Sequence, residues 1–149
     1  MAKPSLREQA IRFLARREYA RSELEQRLAA KGGERDAIRA VLDALVAEGY
    51  LSDVRYAHAV VAQKSGRHSR RGIVASLKAK GVDPQDIALA VAETELDDDA
   101  ALRALWQRRF GEPPADERAK ARQVRFLQAR GFALSAILKF LRSQVASGS

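Results

Sequence analysis

The strongest constraint on this chain is a short phrase used three times. LAAKG runs from Leu28 to Gly32, LKAKG from Leu77 to Gly81 and LQARG from Leu127 to Gly131. The three leucines stand 49 and 50 residues apart. Each phrase reads as a helix running out: a cation in the last turn complements the helix dipole, and glycine accepts the left-handed conformation that ends the helix. Sliding the segments onto one another without gaps extends the register. Arg21, Arg70 and Lys120 align ahead of the phrase, Lys31, Lys80 and Arg130 within it. Ile38, Ile87 and Ile137 follow it, then Leu42, Val91 and Leu141. A pentapeptide match arises easily by chance. A register spanning two helices and the turn between them is an internal repeat.

Other marks fit the same plan. Ser5 with Glu8, and Ser22 with Glu25, have capping-box spacing. Asp83-Pro84 reads as N-cap followed by the first helical residue, and Ser52 and Ser69 read as further starts. Gly32, Gly49, Gly81, Gly111 and Gly131 stand where helices should stop. Strand signals are almost absent. The expectation is an all-α chain of about nine helices over residues 5–18, 22–31, 34–48, 52–65, 70–80, 84–95, 98–110, 116–130 and 133–145. An earlier helix completes each helix-turn-helix, which gives three-helix repeats over residues 1–50, 51–96 and 97–145, with 146–149 as a tail. A module of that size buries a marginal core alone, so neighbours are expected to share apolar surface.

The chain has 149 residues, 46% of them hydrophobic, and no cysteine, so disulfides and thiolate metal sites are excluded. The N-terminus MAKPSLREQA lacks the apolar core of a signal peptide, and no apolar run approaches a membrane span. The expectation is a soluble, cytoplasmic protein. The formal net charge is +8, divided as +2, +2 and +4 over residues 1–50, 51–96 and 97–149. A positive excess spread along the chain suits a partner with extended negative charge, nucleic acid above all.

The cations singled out for such a partner are Arg21, Arg67, Arg70, Arg71, Lys80, Lys120, Arg122, Arg125 and Arg130. KSGRHSRRG, Lys64 to Gly72, is the densest basic loop, and its Arg67, Arg70 and Arg71 suit phosphate contacts. Arg21, Arg70 and Lys120 fall near helix N-termini, where the dipole disfavours a cation, so each needs another reason to be there. The cations before the glycines have a simpler reason in the dipole itself. The aromatic residues Tyr19, Tyr50, Tyr56, Trp106, Phe126, Phe132 and Phe140 sit mostly beside helix ends or apolar stripes and are expected in the core rather than stacked on bases. Asp97-Asp98-Asp99 is read as helix capping, and His58 and His68 lack companion ligands, so no metal and no cofactor is expected. There is no GxxxxGK[ST] loop, no GxSxG elbow and no HExxH helix, so the chain is not read as an enzyme.

Several blocks resemble the RecX family, bacterial regulators of the RecA recombinase. LARREYARSEL, Leu14 to Leu24, is similar to its N-terminal signature, and LVAEGYLSDVRYA, Leu45 to Ala57, to its middle block. RRGIVASLKAKGV, Arg70 to Val82, and ARQVRFLQARGFALSAILKFL, Ala121 to Leu141, are similar to the later ones. Ala20 departs from the family pattern, where serine is common. The resemblance implies an elongated, curved array of three tandem three-helix repeats. It also implies a monomer that binds along the groove of the RecA–single-stranded DNA filament, with weak affinity for DNA by itself. In that groove the family limits filament growth, ATP hydrolysis, strand exchange and co-protease activity. The residues taken alone leave two other readings open: a non-specific helical DNA-binding protein that needs no recombinase, and a scaffold whose basic faces recruit acidic proteins.

Overall fold

The computed structural model describes residues 3–147, and all regular structure among them is helical. Nine helices follow in order: α1 (Leu6–Leu14), α2 (Arg21–Ala30), α3 (Arg35–Ala47), α4 (Asp53–Lys64), α5 (Arg70–Ala79), α6 (Pro84–Ala92), α7 (Asp98–Arg109), α8 (Glu117–Ala129) and α9 (Leu134–Ser147). Residues 148 and 149 of the expected tail lie outside the described residues. No helix among the described residues is long and apolar enough to cross a membrane.

Most of the starts are closed as the sequence predicts. Ser5 Oγ accepts from the Glu8 amide at 3.1 Å, Ser52 Oγ from Arg55 at 3.2 Å, Ser69 Oγ from Gly72 at 2.9 Å and Asp83 Oδ1 from Gln85 at 2.8 Å. Each bond removes one of the amides that a helix N-terminus leaves without a partner. Asp97 and Asp116 do the same for α7 and α8. The expected box of Ser22 with Glu25 does not form. The N-cap of α2 is Ala20, and Glu23 supplies the carboxylate, accepting from the Ala20 amide at 3.0 Å. Ser22 lies inside the helix.

Two ends also differ from expectation. Helix α1 stops at Leu14 instead of 18, and α6 at Ala92 instead of 95. At α1 the chain turns and then extends through residues 18–20, which brings Tyr19 into the core while the Arg17 guanidinium covers its ring at 3.6 Å. Burying an aromatic ring outweighs another helical turn of exposed arginines.

The chain divides into two compact units: residues up to Val60 with Leu77–Ala90, and Val61–Ser76 with residues from Val91 onward. In the first, α1, α2 and α3 enclose Ala10, Leu24, Leu28, Ile38, Leu42 and Leu45, joined by Tyr19 and Leu51. In the second, α7, α8 and α9 enclose Leu102, Leu105, Trp106, Leu127, Ile137 and Leu141, with Phe132 and Phe140. The Trp106 indole N–H donates to Gln123 Oε1 at 2.9 Å, so this core buries one polar pair that is satisfied. The repeat register is a register of burial: Leu28, Leu77 and Leu127 are fully buried, and so are Ile38, Ile87 and Ile137 within a few per cent. Tyr50 is the exception among the aromatics, more than half exposed, while Phe126 is half-buried.

Candidate nucleic-acid and partner interface

The aligned cations stand where two helix ends meet. Arg21 is the first residue of α2, and its backbone N–H donates to Asp53 Oδ1 at 2.8 Å. Arg70 is the first residue of α5, and its N–H donates to Asp98 Oδ1, also at 2.8 Å. A carboxylate of the next first helix thus sits on the positive end of each second helix, where the dipole favours an anion and makes a neighbouring cation tolerable. Lys120 breaks the pattern. Its helix begins at Glu117, so Lys120 lies a turn inside, with its N–H on the Asp116 carbonyl.

These N-termini rest on the glycine turns. The Ser22 hydroxyl donates to the Lys80 carbonyl, beside Gly81. The Ser69 backbone N–H donates to the Arg130 carbonyl at 3.0 Å, beside Gly131. Both bonds occupy carbonyls that α5 and α8 leave unpaired at their C-terminal ends. The cations of the glycine turns are placed differently from one another. Lys80 Nζ lies 3.3 Å from Glu23 Oε2, Lys31 Nζ lies 5.4 Å from the centre of the Phe13 ring, and the Arg130 guanidinium lies 4.6 Å from that of Phe126.

The remaining site residues sort by what holds them. The Arg21 guanidinium pairs with Asp43 at 2.6 Å, an exposed contact of the kind that contributes about 0–1 kcal/mol. That pair gives Arg21 a structural reason to exist. Arg67, Arg70, Arg71, Arg122 and Arg125 are exposed, and among the described residues their side chains take no hydrogen bond and no ion pair. Arg67 and Arg130 converge with Lys64 on His68, which is half-buried in the α4–α5 loop. Burial pushes the His68 imidazolium down from the usual histidine range, and the charges of Lys64, Arg130 and Arg67 push it further. Lys120 lines a separate groove of about 380 Å³ with Asp116, Glu117 and Arg142.

The structure therefore gathers Arg67 and Arg130 around one histidine and leaves Arg71, Arg122 and Arg125 unengaged. The acidic run is used for capping: Asp97 accepts from Ala100 at 3.1 Å, and Asp98 holds Arg70. No group of three or more metal-ligating side chains is gathered among the described residues. Arg12 and Arg16 were not among the sequence candidates, yet both line an open groove with Phe13 and Lys31. Their four-residue spacing at the end of α1 was the available signal.

Three family models match in tandem: RecX, first three-helix domain, at residues 7–45; RecX, second three-helix domain, at 52–91; and RecX, third three-helix domain, at 97–141. The chain is 44% identical to regulatory protein RecX of Leptothrix cholodnii over 93% of this chain and 88% of that one. It is 35% identical to regulatory protein RecX of Ralstonia nicotianae over 93% and 87%. Two crystal structures share the fold. A regulatory protein RecX matches with a TM-score of 0.67 at 16% identity, covering 93% of this chain and 71% of that one. RecX from Lactobacillus salivarius matches with a TM-score of 0.63 at 17% identity, covering 95% of each.

Proposed function

Because the chain belongs to the RecX family, whose members are regulatory proteins rather than enzymes, we propose that it restrains the RecA recombinase. It binds along the groove of the RecA–DNA filament and limits filament growth, and with it ATP hydrolysis, strand exchange and co-protease activity. The acting species is a monomer in the cytoplasm, working in homologous recombination and the SOS response. The observation that carries this reading beyond family membership is the set of unengaged cations. The side chains of Arg67, Arg70, Arg71, Arg122 and Arg125 take no hydrogen bond and no ion pair among the described residues, which leaves them for phosphates or for acidic protein surface.

The test is DNA-dependent ATP hydrolysis by RecA assembled on single-stranded DNA, titrated with this protein while binding to the same DNA without RecA is followed in parallel. Inhibition at concentrations too low to coat free DNA supports the filament as target. Inhibition that only tracks competition for DNA overturns it in favour of a plain DNA-binding protein. Salt separates the two further, because pure phosphate binding to duplex weakens with a slope of about −0.9 per contact.

A further inference from the structure

A groove of about 490 Å³ is lined by α1, the residues on either side of it and Lys31 of the glycine turn after α2. Four cations line it, Lys3, Arg12, Arg16 and Lys31, and no acidic side chain does. Its other walls include Phe13 and Gln9. Phe13 meets the edge of Tyr19 at 5.7 Å and remains half-buried, so the ring is anchored from one side and contributes to the groove from the other. The Gln9 amide is fixed by donating from Nε2 to the Pro4 carbonyl at 3.0 Å. Its Oε1 is buried and has no hydrogen-bond partner among the described residues. Buried acceptors without partners are uncommon, and each calls for a reason.

In the third repeat an aromatic ring at another position of the register is closed over by cations. There the Phe126 ring is covered by the guanidiniums of Arg130 at 4.6 Å and Arg109 at 5.2 Å, and Phe110 stands edge-on at 5.5 Å. The aromatic residue of that repeat has its cations already in place. Phe13 has one ring and one distant ammonium, and the remaining cations face an open groove.

We infer that this groove holds a segment of single-stranded nucleic acid, with the phosphates on Arg12, Arg16, Lys3 and Lys31 and an unstacked base against Phe13. The cations and the ring then each have a counterpart. Phosphates answer the cations, and a base presents its π-face to the ring. The carboxylates of an acidic peptide would answer the cations but offer no π-face to the ring. A duplex keeps its bases stacked and offers the ring nothing. The inference assigns nucleic acid to α1 and its neighbours in the chain, not to the basic loop singled out in the sequence, and rests on the filament reading only for its biological setting.

The test is fluorescence anisotropy of a labelled oligothymidylate and of an abasic strand of equal length, titrated with the full chain. Arg12→Glu with Arg16→Glu is expected to weaken binding to both strands about tenfold or more, since these exposed residues supply phosphate contacts. Phe13→Leu keeps the apolar volume. It is expected to weaken oligothymidylate about fivefold or more while leaving the abasic strand unchanged. Thermal melting confirms that each variant folds. Wild-type affinity in the charge-reversed variant overturns the proposal. So does an equal effect of Phe13→Leu on both strands, or displacement of the oligonucleotide by poly-glutamate at matched charge. The RecA assay separates the two readings. Groove-dependent oligonucleotide binding with no effect on RecA sinks the filament reading alone, and inhibition of RecA without groove-dependent binding sinks the groove alone.

Discussion

Gly72 and Gly131 meet backbone against backbone. A Cβ built on Gly131 would stand 2.6 Å from the Gly72 Cα and 2.7 Å from its nitrogen, and one built on Gly72 would stand 2.7 Å from the Arg130 carbonyl oxygen. This contact is what lets the Ser69 amide reach the Arg130 carbonyl. Gly131 also has φ +93, which disfavours any side chain. Gly72→Ala isolates the contact, because Gly72 lies inside α5, where alanine is ordinarily better by about 1 kcal/mol. We expect the opposite sign here, a loss of about 1–3 kcal/mol from overpacking. Chemical denaturation measures it, and a stabilised Gly72→Ala protein would show that the two backbones can part without cost.

Gly81 separates conformation from space. Its φ is +75, but a Cβ there would meet nothing nearer than Ser22 at 3.9 Å. Gly81→Ala should therefore cost only the left-handed strain, about 1 kcal/mol, and Gly81→Val about 1–3 kcal/mol. Gly131→Ala should exceed Gly81→Ala in the same thermal melting series. Equal losses at the two positions would mean that the close approach contributes nothing.

Reversing Arg67, Arg70 and Arg71 together should weaken binding to the RecA–DNA filament by tenfold or more at low salt while helicity stays unchanged, because none of the three side chains holds another part of the protein. The contrast is Arg21→Glu, which removes an ion pair with Asp43 and should act on stability first. Circular dichroism and filament co-sedimentation decide the matter. Unaltered affinity in the triple variant excludes that loop.

The folded protein also favours neutral His68. The imidazole titrates below its ordinary value of 6.5 because of burial and of Lys64, Arg130 and Arg67. The unfolded chain then binds the extra proton more readily, so this group's share of stability is present above that value and is lost as pH falls through it. His68→Gln should flatten the stability profile as pH falls below the ordinary histidine value. Glu23 acts in a lower window. Burial by itself would raise its carboxyl, but Arg17, the Ala20 amide and Lys80 together hold it below 4.5, so its contribution is lost at more acid pH. A profile unchanged by His68→Gln would place the histidine in a more solvated setting.

The buried leucines and isoleucines of the repeat were legible because helical periodicity and burial are the same fact read twice. The caps at Ser5, Ser52, Ser69 and Asp83 were legible because a cap lies within three residues of what it closes. What escaped was everything with a distant partner. Nothing near Ser22 announces that its hydroxyl serves the Lys80 carbonyl, 58 positions away. Nothing near Arg21 names Asp43 or Asp53. The end of α1 was misplaced for the same reason, since Arg17 and Glu18 are good helix formers and only the core explains why Tyr19 leaves the helix. Arg67, Arg70 and Arg71 were visible as a dense loop, but the groove at α1 was not. Its cations come from three separate stretches of chain.

The carboxylates on the second helices set an order of manufacture. The amide of Arg21 waits for Asp53, 32 residues later, and that of Arg70 for Asp98, 28 residues later. On a ribosome that emits residues one by one from the N-terminus, the first three-helix domain is complete in length before the group that closes its second helix exists. The second domain then waits on the third. Caps that lie just ahead of a helix need no such wait: Asp116 holds the Ala119 amide of α8 at 2.7 Å, and Ser69 the Gly72 amide of α5 at 2.9 Å. A nascent chain halted between domains would thus display an unclosed helix end, a signature that hydrogen exchange on stalled chains can read at Arg21 and Arg70.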